Sequence, residues 1–374
     1  MLDRRHFIAA LAASAVGGRG TKGAADQAPA TQTAPPGAAA AAALPLPPAD
    51  HPILGSLTPV IAGARHVRLH PEQVEQTAGW MAYEGLPWPD FRSPLYPEGN
   101  DADTLDYIFL TATINFAFTD FERRVMFQTE YGGAVHSDSE AMDACLKRAY
   151  DQGLPILEGR YLAAITRAEL DRIFAGNITI PMLDQRLEIF HQVGRRLEQD
   201  YGGRFHRFVA AGPPRLYAAG GQGLLERLLD QFPSFRDTSD YRGHRVLFQK
   251  RAQLLWWNLH ARFRSTGFFA LADPERLTIF ADYIVPVAFR LLGITSYSDA
   301  LEQAINRGRI IPAQSEEEIE IRAFTLWAAE LLTQAINRRR PADRQLISPV
   351  VDGRLWTHYH TTHWPHHLTV TTAY

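Results

Sequence analysis

The sequence contains a single cysteine among 374 residues, and this scarcity excludes two kinds of structure. Cys145 has no partner for an intramolecular disulfide, and no cysteine zinc cage can form. It lies in MDACLKRAY, a helical pattern, so we interpret it as a small core residue. A chain of this length can bury a substantial apolar core.

An excess of basic residues is also lacking. The chain has 38 lysines and arginines against 41 aspartates and glutamates, which gives a net charge of −3. A general electrostatic grip on nucleic acid needs a basic face. We therefore expect no nucleic-acid partner, although a local phosphate pocket is compatible with this charge.

Several common catalytic signatures are missing as well. The sequence has no G-x-x-x-x-G-K-[ST] phosphate loop, no G-x-S-x-G elbow and no H-E-x-x-H zinc motif. The stretch AAGG at 218–221 is too short and plain for a dinucleotide fingerprint. Any chemistry must be sought in other patterns.

The first fifty residues differ in composition from the rest. The start, MLDRRHFIAALAASAVGGRG, resembles a twin-arginine export signal through Arg4 and Arg5, and its apolar run is too short to span a bilayer. The Ala- and Pro-rich segment that follows cannot bury enough apolar surface to offset the entropy lost on ordering. This composition predicts a disordered linker. We expect a cytoplasmic protein with no membrane partner, and export through this signal is the alternative.

Residues 51–374 show no repeat and no second low-complexity break, which predicts one folded domain. Helical periodicity dominates, so the expected fold class is mainly α with a minor β element. A capping box at Thr166 and Glu169 predicts a helix start, and Gly132-Gly133 predicts a hairpin. SDSEAMDACLKRAYDQG reads as a helix with a serine cap, and VLFQKRAQLLWWNLHARF reads as helical throughout. DTLDYIFLTATINFAF fits either a strand or a buried helix.

Asp282 stands out because it lies in an otherwise apolar run, LTIFADYIVPVAFRLLG. A buried aspartate is costly unless it has partners. It could cap or bond a neighbouring helix, or it could be held in a semi-apolar pocket for acid–base, nucleophilic or electrostatic work. Pro286 is expected to remove one backbone hydrogen bond and to bend the helix near Asp282.

Three other places could carry chemistry. Lys250 and Arg251 lie in an apolar helix, where they either snorkel or point one cation into a pocket. In TINFAF, Asn115 and Phe116 either pack in the core or contact a planar base. The tail THYHTTHWPHHLTVTTAY invites a metal interpretation, but no acidic residue lies among its histidines. We favour a surface or lid segment whose histidines are incidental.

These motifs occur together in a recognisable order. FPSFRD, VLFQKRAQ, LTIFADYIVP, LGITSYSDAL and EIEIRAFTLWAAELL follow one another, with TINFAF upstream and HLTVTTAY at the end. This combination resembles the queuosine salvage family, the queuosine 5′-phosphate N-glycosidases. The resemblance covers most of residues 60–374.

The resemblance implies hydrolysis of the N-glycosidic bond of queuosine 5′-monophosphate, or of queuosine, with release of queuine, a 7-deazaguanine base. It implies a mostly helical fold distantly like helix-hairpin-helix DNA glycosylases, a small-molecule nucleotide substrate and no metal or organic cofactor. We expect the protein to be a monomer. The family's catalytic aspartate maps onto Asp282. Its carboxylate could stabilise the oxocarbenium-like transition state, act as nucleophile or activate water.

The resemblance also suggests roles around Asp282. Lys250 is the second expected catalytic residue, and it or Arg251 could bind the 5′-phosphate or keep Asp282 ionised. Arg322 could contact the ligand, or pair instead with Glu320 or Asp299. The candidates for the base pocket are Phe235, Asp237, Asn115, Phe116 and Tyr283.

Departures from the family pattern leave the substrate open. Ala112 replaces an aspartate, Thr119 a tryptophan and Ile284 an arginine, and no histidine follows Trp88. The main alternative is a non-catalytic binder, or a differently specific hydrolase, of another deazapurine or purine nucleotide. A DNA glycosylase and a metalloenzyme built on the histidine tail are further alternatives.

Overall fold

The computed structural model describes residues 44–374. The arginine pair and the first 43 residues, on which the export signal and most of the linker were predicted, lie outside the described residues. Within the described part, no helix has the length and apolar character that crossing a membrane requires.

Helices make up most of the described chain, in agreement with the expected mainly α fold class. We number them in chain order: α1 Pro52–Ser56, α2 Thr58–Gly63, α3 Pro71–Met81, α4 Ala102–Thr113, α5 Ser139–Asp151, α6 Gly159–Ala164, α7 Arg167–Ile173, α8 Leu183–Tyr201, α9 Phe205–Ala210, α10 Leu224–Gln231, α11 Lys250–Phe263, α12 Ile284–Leu291, α13 Asp299–Asn306, α14 Glu316–Asn337 and α15 Ser348–Tyr359.

The β structure of residues 44–374 consists of four antiparallel strand pairs, which is the minor β element that the sequence predicts. The pairs are β1 Val67–Leu69 with β8 Thr295–Tyr297, β2 Thr119–Asp120 with β3 Val125–Met126, β4 Gln128–Tyr131 with β5 Ala134–Ser137, and β6 Thr238–Tyr241 with β7 His244–Leu247. Residues Gly132 and Gly133 join β4 to β5 with positive φ, so the predicted hairpin is confirmed.

Helix α14 lies at the centre of the molecule and packs against α2, α3, α12 and α15. Almost every residue from Glu318 to Ile336 is buried, so this helix is covered on all sides. The side chain of Ser315 caps it by accepting from the N–H of Glu318. Such a central helix brings charged residues of its first turns into the interior, where each needs a partner.

Local sequence signals place several helix ends correctly. The capping box at the start of α7 is present, with Thr166 accepting from the N–H of Glu169 and the Glu169 carboxylate accepting from the N–H of Thr166. The ambiguous stretch DTLDYIFLTATINFAF contains α4, which ends at Thr113 and leaves INFAF as a buried loop. Tertiary packing therefore settles the choice between strand and helix, which local propensity left open.

Two predicted elements are wrong in detail. The stretch VLFQKRAQLLWWNLHARF is not helical throughout, because Val246 and Leu247 end strand β7 and α11 begins only at Lys250. The predicted serine cap of α5 is also wrong. The residue before the helix is Asp138, which makes no side-chain cap and has φ 60° and ψ −139°.

Candidate active site

A cavity of about 690 Å³ opens beside the start of α12. Its walls come from the loop after α4, the start of α5, the first turn of α12, the end of α13, the end of α15 and the C-terminal tail. A volume of this size suits a nucleotide-sized ligand. Residues that line it and matter below are Asp138, Tyr283, Trp356, His360, His366 and Tyr374.

The three residues before Tyr283, from Phe280 to Asp282, are held from two sides. The N–H of Phe280 donates to Oδ1 of Asp352 at 3.1 Å, and Nε of Arg322 donates to the carbonyl of Ala281 at 3.2 Å. Both partners are buried, so the two bonds are shielded from water. They fix the backbone from which the side chain of Asp282 extends.

Asp282 is 7% exposed and accepts hydrogen bonds at both carboxylate oxygens. Its Oδ1 accepts from the N–H groups of Ile284, at 2.8 Å, and Val285, at 3.4 Å, at the start of α12. Its Oδ2 accepts from Nε1 of Trp356 at 3.1 Å. The carboxylate thus lies directly behind two residues of the cavity wall, Tyr283 and Trp356.

Pro286 does not bend a helix at Asp282. Helix α12 begins at Ile284, so Asp282 precedes it and Pro286 occupies the first turn. An N–H at that position would lack an intrahelical partner in any helix, and proline therefore costs no hydrogen bond there. The sequence-based expectation of a kink at this position is wrong.

A ring of contacts links Asp282 to a second carboxylate, that of Asp138. The indole of Trp356 stacks on His360 with ring centroids 4.4 Å apart, and Nε2 of His360 lies 3.6 Å from Oδ2 of Asp138. That same Oδ2 accepts from the hydroxyl of Tyr283 at 3.2 Å. Burial, together with the charges of Asp138 and Asp282, raises the pKa of Tyr283 well above its ordinary value. Tyr283 therefore stays protonated and donates.

Four of the five histidines of the tail line this cavity, and His358 does not. His366 stacks on Tyr283 with ring centroids 4.7 Å apart, and His360 and His363 also face the cavity. His367 lies deeper, where Nε2 is 3.2 Å from the hydroxyl of Tyr374. Burial lowers the pKa of His367 to about 3, so this imidazole is neutral.

Asp237, Arg322 and Lys250 meet away from the cavity lining. Arg322 donates to both oxygens of Asp237, at 2.9 and 2.6 Å, and lies 3.5 Å from Glu318 on its own helix. Burial alone would lower the pKa of Arg322, yet the carboxylates of Asp237 and Glu318 raise it. The backbone N–H of Lys250, at the start of α11, also donates to Asp237.

The pairing predicted for Arg322 with Glu320 or Asp299 is wrong. The carboxylate of Glu320 already accepts from the N–H groups of residues 65, 66 and 67 and from the hydroxyl of Tyr241. On α14 the residue four positions before Arg322 is Glu318, and such a pair shares one helix face. The i, i+4 spacing in the sequence is the signal that could have identified it.

Arg251, Phe235 and Phe116 form a buried stack. The Arg251 guanidinium lies over both rings, 5.3 Å from the Phe235 centroid and 5.1 Å from the Phe116 centroid, and donates to the Thr113 and Ser234 carbonyls. Asn115, which directly precedes Phe116 in the sequence, is half-buried. None of these residues contributes to the cavity lining, so their roles in base binding remain predictions.

A second buried arginine holds the other side of Phe116. Arg186 of α8 donates to the carbonyls of Ile114, Phe116 and Ala117, and its guanidinium lies 4.4 Å from the Phe116 ring centroid. Burial and the charge of Arg251 lower the pKa of Arg186 to about 9. The two arginines thus satisfy the carbonyls that α4 and the following loop leave unpaired.

One group of possible metal ligands occurs in the described part of the chain, and it does not fit a metal. It consists of His66, Glu316 and Glu320. Glu320 is saturated by the donors given above, and Glu316 is bonded to Arg242. The tail histidines do not converge into such a group within residues 44–374.

The sequence identified Asp282 and Tyr283 but missed three cavity residues. Trp356 carries no motif that distinguishes it from core tryptophans. His360 was noted only as part of a histidine-rich tail. Asp138 was hidden by the serine-cap interpretation, although an aspartate just before a helix after a hairpin is a position worth testing for function.

The chain is thus a mainly helical domain with a buried carboxylate behind a cavity lined by aromatic and histidine side chains. Residues 95–374 match the model of the family described as queuosine salvage protein. The chain therefore belongs to this family, as its motifs indicated.

Curated relatives from distant organisms share the same name, queuosine 5′-phosphate N-glycosylase/hydrolase. The relative from Sphaerobacter thermophilus is 38% identical over 306 residues, which is 81% of this chain and 91% of the relative. The relative from Schizosaccharomyces pombe is 32% identical, covering 71% of this chain and 75% of its own length. The relative from Mus musculus is 29% identical, covering 70% and 78%.

Proposed function

We propose that this chain hydrolyses the N-glycosidic bond of queuosine 5′-phosphate and releases queuine, with Asp282 as the catalytic carboxylate. The observation that carries the proposal is the setting of Asp282. Three N–H donors fix its carboxylate directly behind Tyr283 and Trp356, which line a nucleotide-sized cavity. The names of the relatives supply the bond and the substrate.

The chemistry suits this arrangement. Cleavage of a ribosyl C–N bond builds positive charge on the sugar, and a preorganised carboxylate stabilises that charge without reorganising. Because backbone and indole N–H groups hold Asp282, its position does not depend on the ligand. The electrostatic, nucleophilic and water-activating roles all remain compatible with this geometry.

The decisive experiment measures release of the free base by chromatography with mass detection. The full chain is incubated with queuosine 5′-phosphate, queuosine and GMP, as wild type, Asp282→Ala and Asp299→Ala. Asp299 is an exposed aspartate of α13 and serves as the matched control. We expect queuine release to fall at least about 100-fold in Asp282→Ala and to be unchanged in Asp299→Ala.

The second candidate is a binder or a hydrolase of another deazapurine or purine nucleotide. The departures at Ala112, Thr119 and Ile284 favour it, and Ile284 and Thr119 line the cavity. Tight binding of queuosine 5′-phosphate without release of any base would support a binder. Release from GMP alone would support a hydrolase with a different base specificity.

We further propose that residues 51–374 act as one monomeric domain in the cytoplasm, without nucleic acid. Export through Arg4 and Arg5 is the alternative. Fractionation of cells that express the chain with and without an Arg4→Lys, Arg5→Lys change tests this. A shift of the protein out of an exported fraction on that change would overturn the cytoplasmic assignment.

A further inference from the structure

Asp138 lines the cavity, as Glu140 does, and the proposed reaction gives it no role. It is 9% exposed and lines the cavity beside Tyr283. Its Oδ2 is engaged by the hydroxyl of Tyr283 and lies near His360. Its Oδ1 accepts no hydrogen bond from residues 44–374, and the side chain is 13% exposed, so one acceptor of this carboxylate remains open to a ligand.

The surroundings favour a ligand that donates hydrogen bonds to this oxygen. The cavity lining within the described residues contains no lysine or arginine, so no strong cation competes for Asp138. Asp237, the buried carboxylate predicted from the sequence to bind the base, already accepts two hydrogen bonds from Arg322 and one from the N–H of Lys250, and it does not line the cavity. A guanine-like edge offers a ring N–H and an exocyclic amino group side by side, which a carboxylate accepts well.

The backbone conformation of Asp138 is sterically unfavourable for a residue that carries a side chain. Its φ of 60° and ψ of −139° lie in a region that glycine occupies freely and other residues rarely adopt. The N–H of Asp138 donates to the carbonyl of Phe127 at 3.1 Å, which helps to hold this conformation. Glycine would fit the backbone better, yet the sequence has a carboxylate there.

We propose that Asp138 is a specificity-determining residue whose Oδ1 accepts hydrogen bonds from the N–H groups of the guanine-like edge of the base. This assignment rests on the proposed function, since it takes a 7-deazaguanine as the ligand. Tyr283 acts as a positioning residue, because its hydroxyl orients the carboxylate. Base recognition by Asp138 and bond cleavage by Asp282 then involve two carboxylates that both neighbour Tyr283.

The test measures dissociation constants of free bases by calorimetry, so it does not depend on turnover. The probes are 7-deazaguanine, 7-deazahypoxanthine, which lacks the exocyclic amino group, and 7-aminomethyl-7-deazaguanine, which adds an ammonium group. The proteins are wild type, Asp138→Asn, Asp138→Gly and the control Glu130→Gln, an exposed carboxylate of the neighbouring hairpin. Asp138→Gly keeps the backbone conformation at no steric cost, so it separates recognition from folding.

We expect both Asp138 variants to weaken binding of 7-deazaguanine about 10-fold or more. Removal of the amino group should then cost affinity in wild type and in Glu130→Gln, and much less in the Asp138 variants. Equal affinities in all four proteins would overturn the proposal. A loss confined to the aminomethyl base would also overturn it, because the ammonium group would then be the partner.

The two proposals fail separately. If wild type releases queuine but the Asp138 variants bind every base as wild type does, only the specificity assignment fails. If wild type releases no base, but removal of the exocyclic amino group weakens binding only in proteins that keep Asp138, the hydrolase proposal fails and the specificity assignment stands.

Discussion

The indole of Trp356 connects Asp282, which lies behind the cavity wall, with the neighbourhood of Asp138, which lines it. Its Nε1 donates to Oδ2 of Asp282 at 3.1 Å, and its ring stacks on His360, whose Nε2 lies 3.6 Å from Asp138. One side chain therefore both orients the proposed catalytic group and forms part of the ligand-facing surface. The N–H and the ring can be tested separately.

Trp356→Phe keeps an aromatic ring and removes the N–H donor. A hydrogen bond to a charged group contributes about 1.5–3 kcal/mol, so we expect kcat for queuine release to fall roughly 10- to 100-fold. KM should change little, because the ring surface is retained. The control is Trp80→Phe, an exposed tryptophan of α3. A large rise in KM at unchanged kcat would contradict the orienting role.

The buried pair of Asp237 and Arg322 predicts a different phenotype. Asp237→Asn leaves a fully buried guanidinium with only the more distant carboxylate of Glu318. Breaking one side of such a pair costs about 3–5 kcal/mol, so we expect a large loss of stability. Urea unfolding measures it, with Asp240→Asn, an exposed aspartate of β6, as control. Unchanged stability with lost base binding would instead make Asp237 a ligand-binding residue.

The comparison of Asp282 with Asp138 shows how far the sequence leads to this site. Asp282 could be identified because a carboxylate in an apolar run is costly and the surrounding motif is specific. Asp138 lies in an ordinary polar loop, and its role depends on a backbone conformation and on contacts to residues 145 and 222 positions later in the chain. Such long-range contacts leave no periodic signal.

The fold likewise contains elements that local sequence signals predict and elements that depend on residues distant in the sequence. Helix α7 follows from its capping box, α8 from its amphipathic spacing and the start of α14 from its serine cap, all of which are local signals. The start of α11 does not, because Val246 and Leu247 pair with β6 rather than continue the helix. The choice between strand and helix there depends on a partner strand, and the apolar pattern is the same for both.

Arg186 is predicted to stabilise the loop that follows α4. Arg186→Met would leave the carbonyls of residues 114, 116 and 117 without donors in the interior. An unsatisfied buried polar group costs about 1–3 kcal/mol, so we expect a loss of several kcal/mol in urea unfolding. Arg195→Met, at an exposed position of the same helix, is the control. Equal stability of the two variants would exclude the proposed clamp.

His367 predicts a specific dependence of stability on pH. Its imidazole is buried against Tyr374, and burial, followed by the electrostatic effects of His366, Arg322 and Arg290, lowers its pKa from 6.5 to about 3. Below pH 6.5 the unfolded chain binds a proton that the folded protein excludes. The free energy of unfolding contributed by this group is therefore complete above pH 6.5 and falls as the pH drops toward 3.

His367→Asn removes this titration and should flatten the pH dependence. Between pH 7.5 and 4.5 the linkage relation gives a loss of about 2.6 kcal/mol for one such histidine, which the variant should not show. Urea unfolding at both pH values measures the difference within each protein, so a stability change common to both pH values does not affect the result. His358→Asn, at an exposed position of α15, is the matched control. His260, whose pKa burial lowers to about 4, keeps part of the dependence in every variant. Identical slopes in wild type and His367→Asn would mean that His367 takes up its proton in the folded protein as readily as in the unfolded chain.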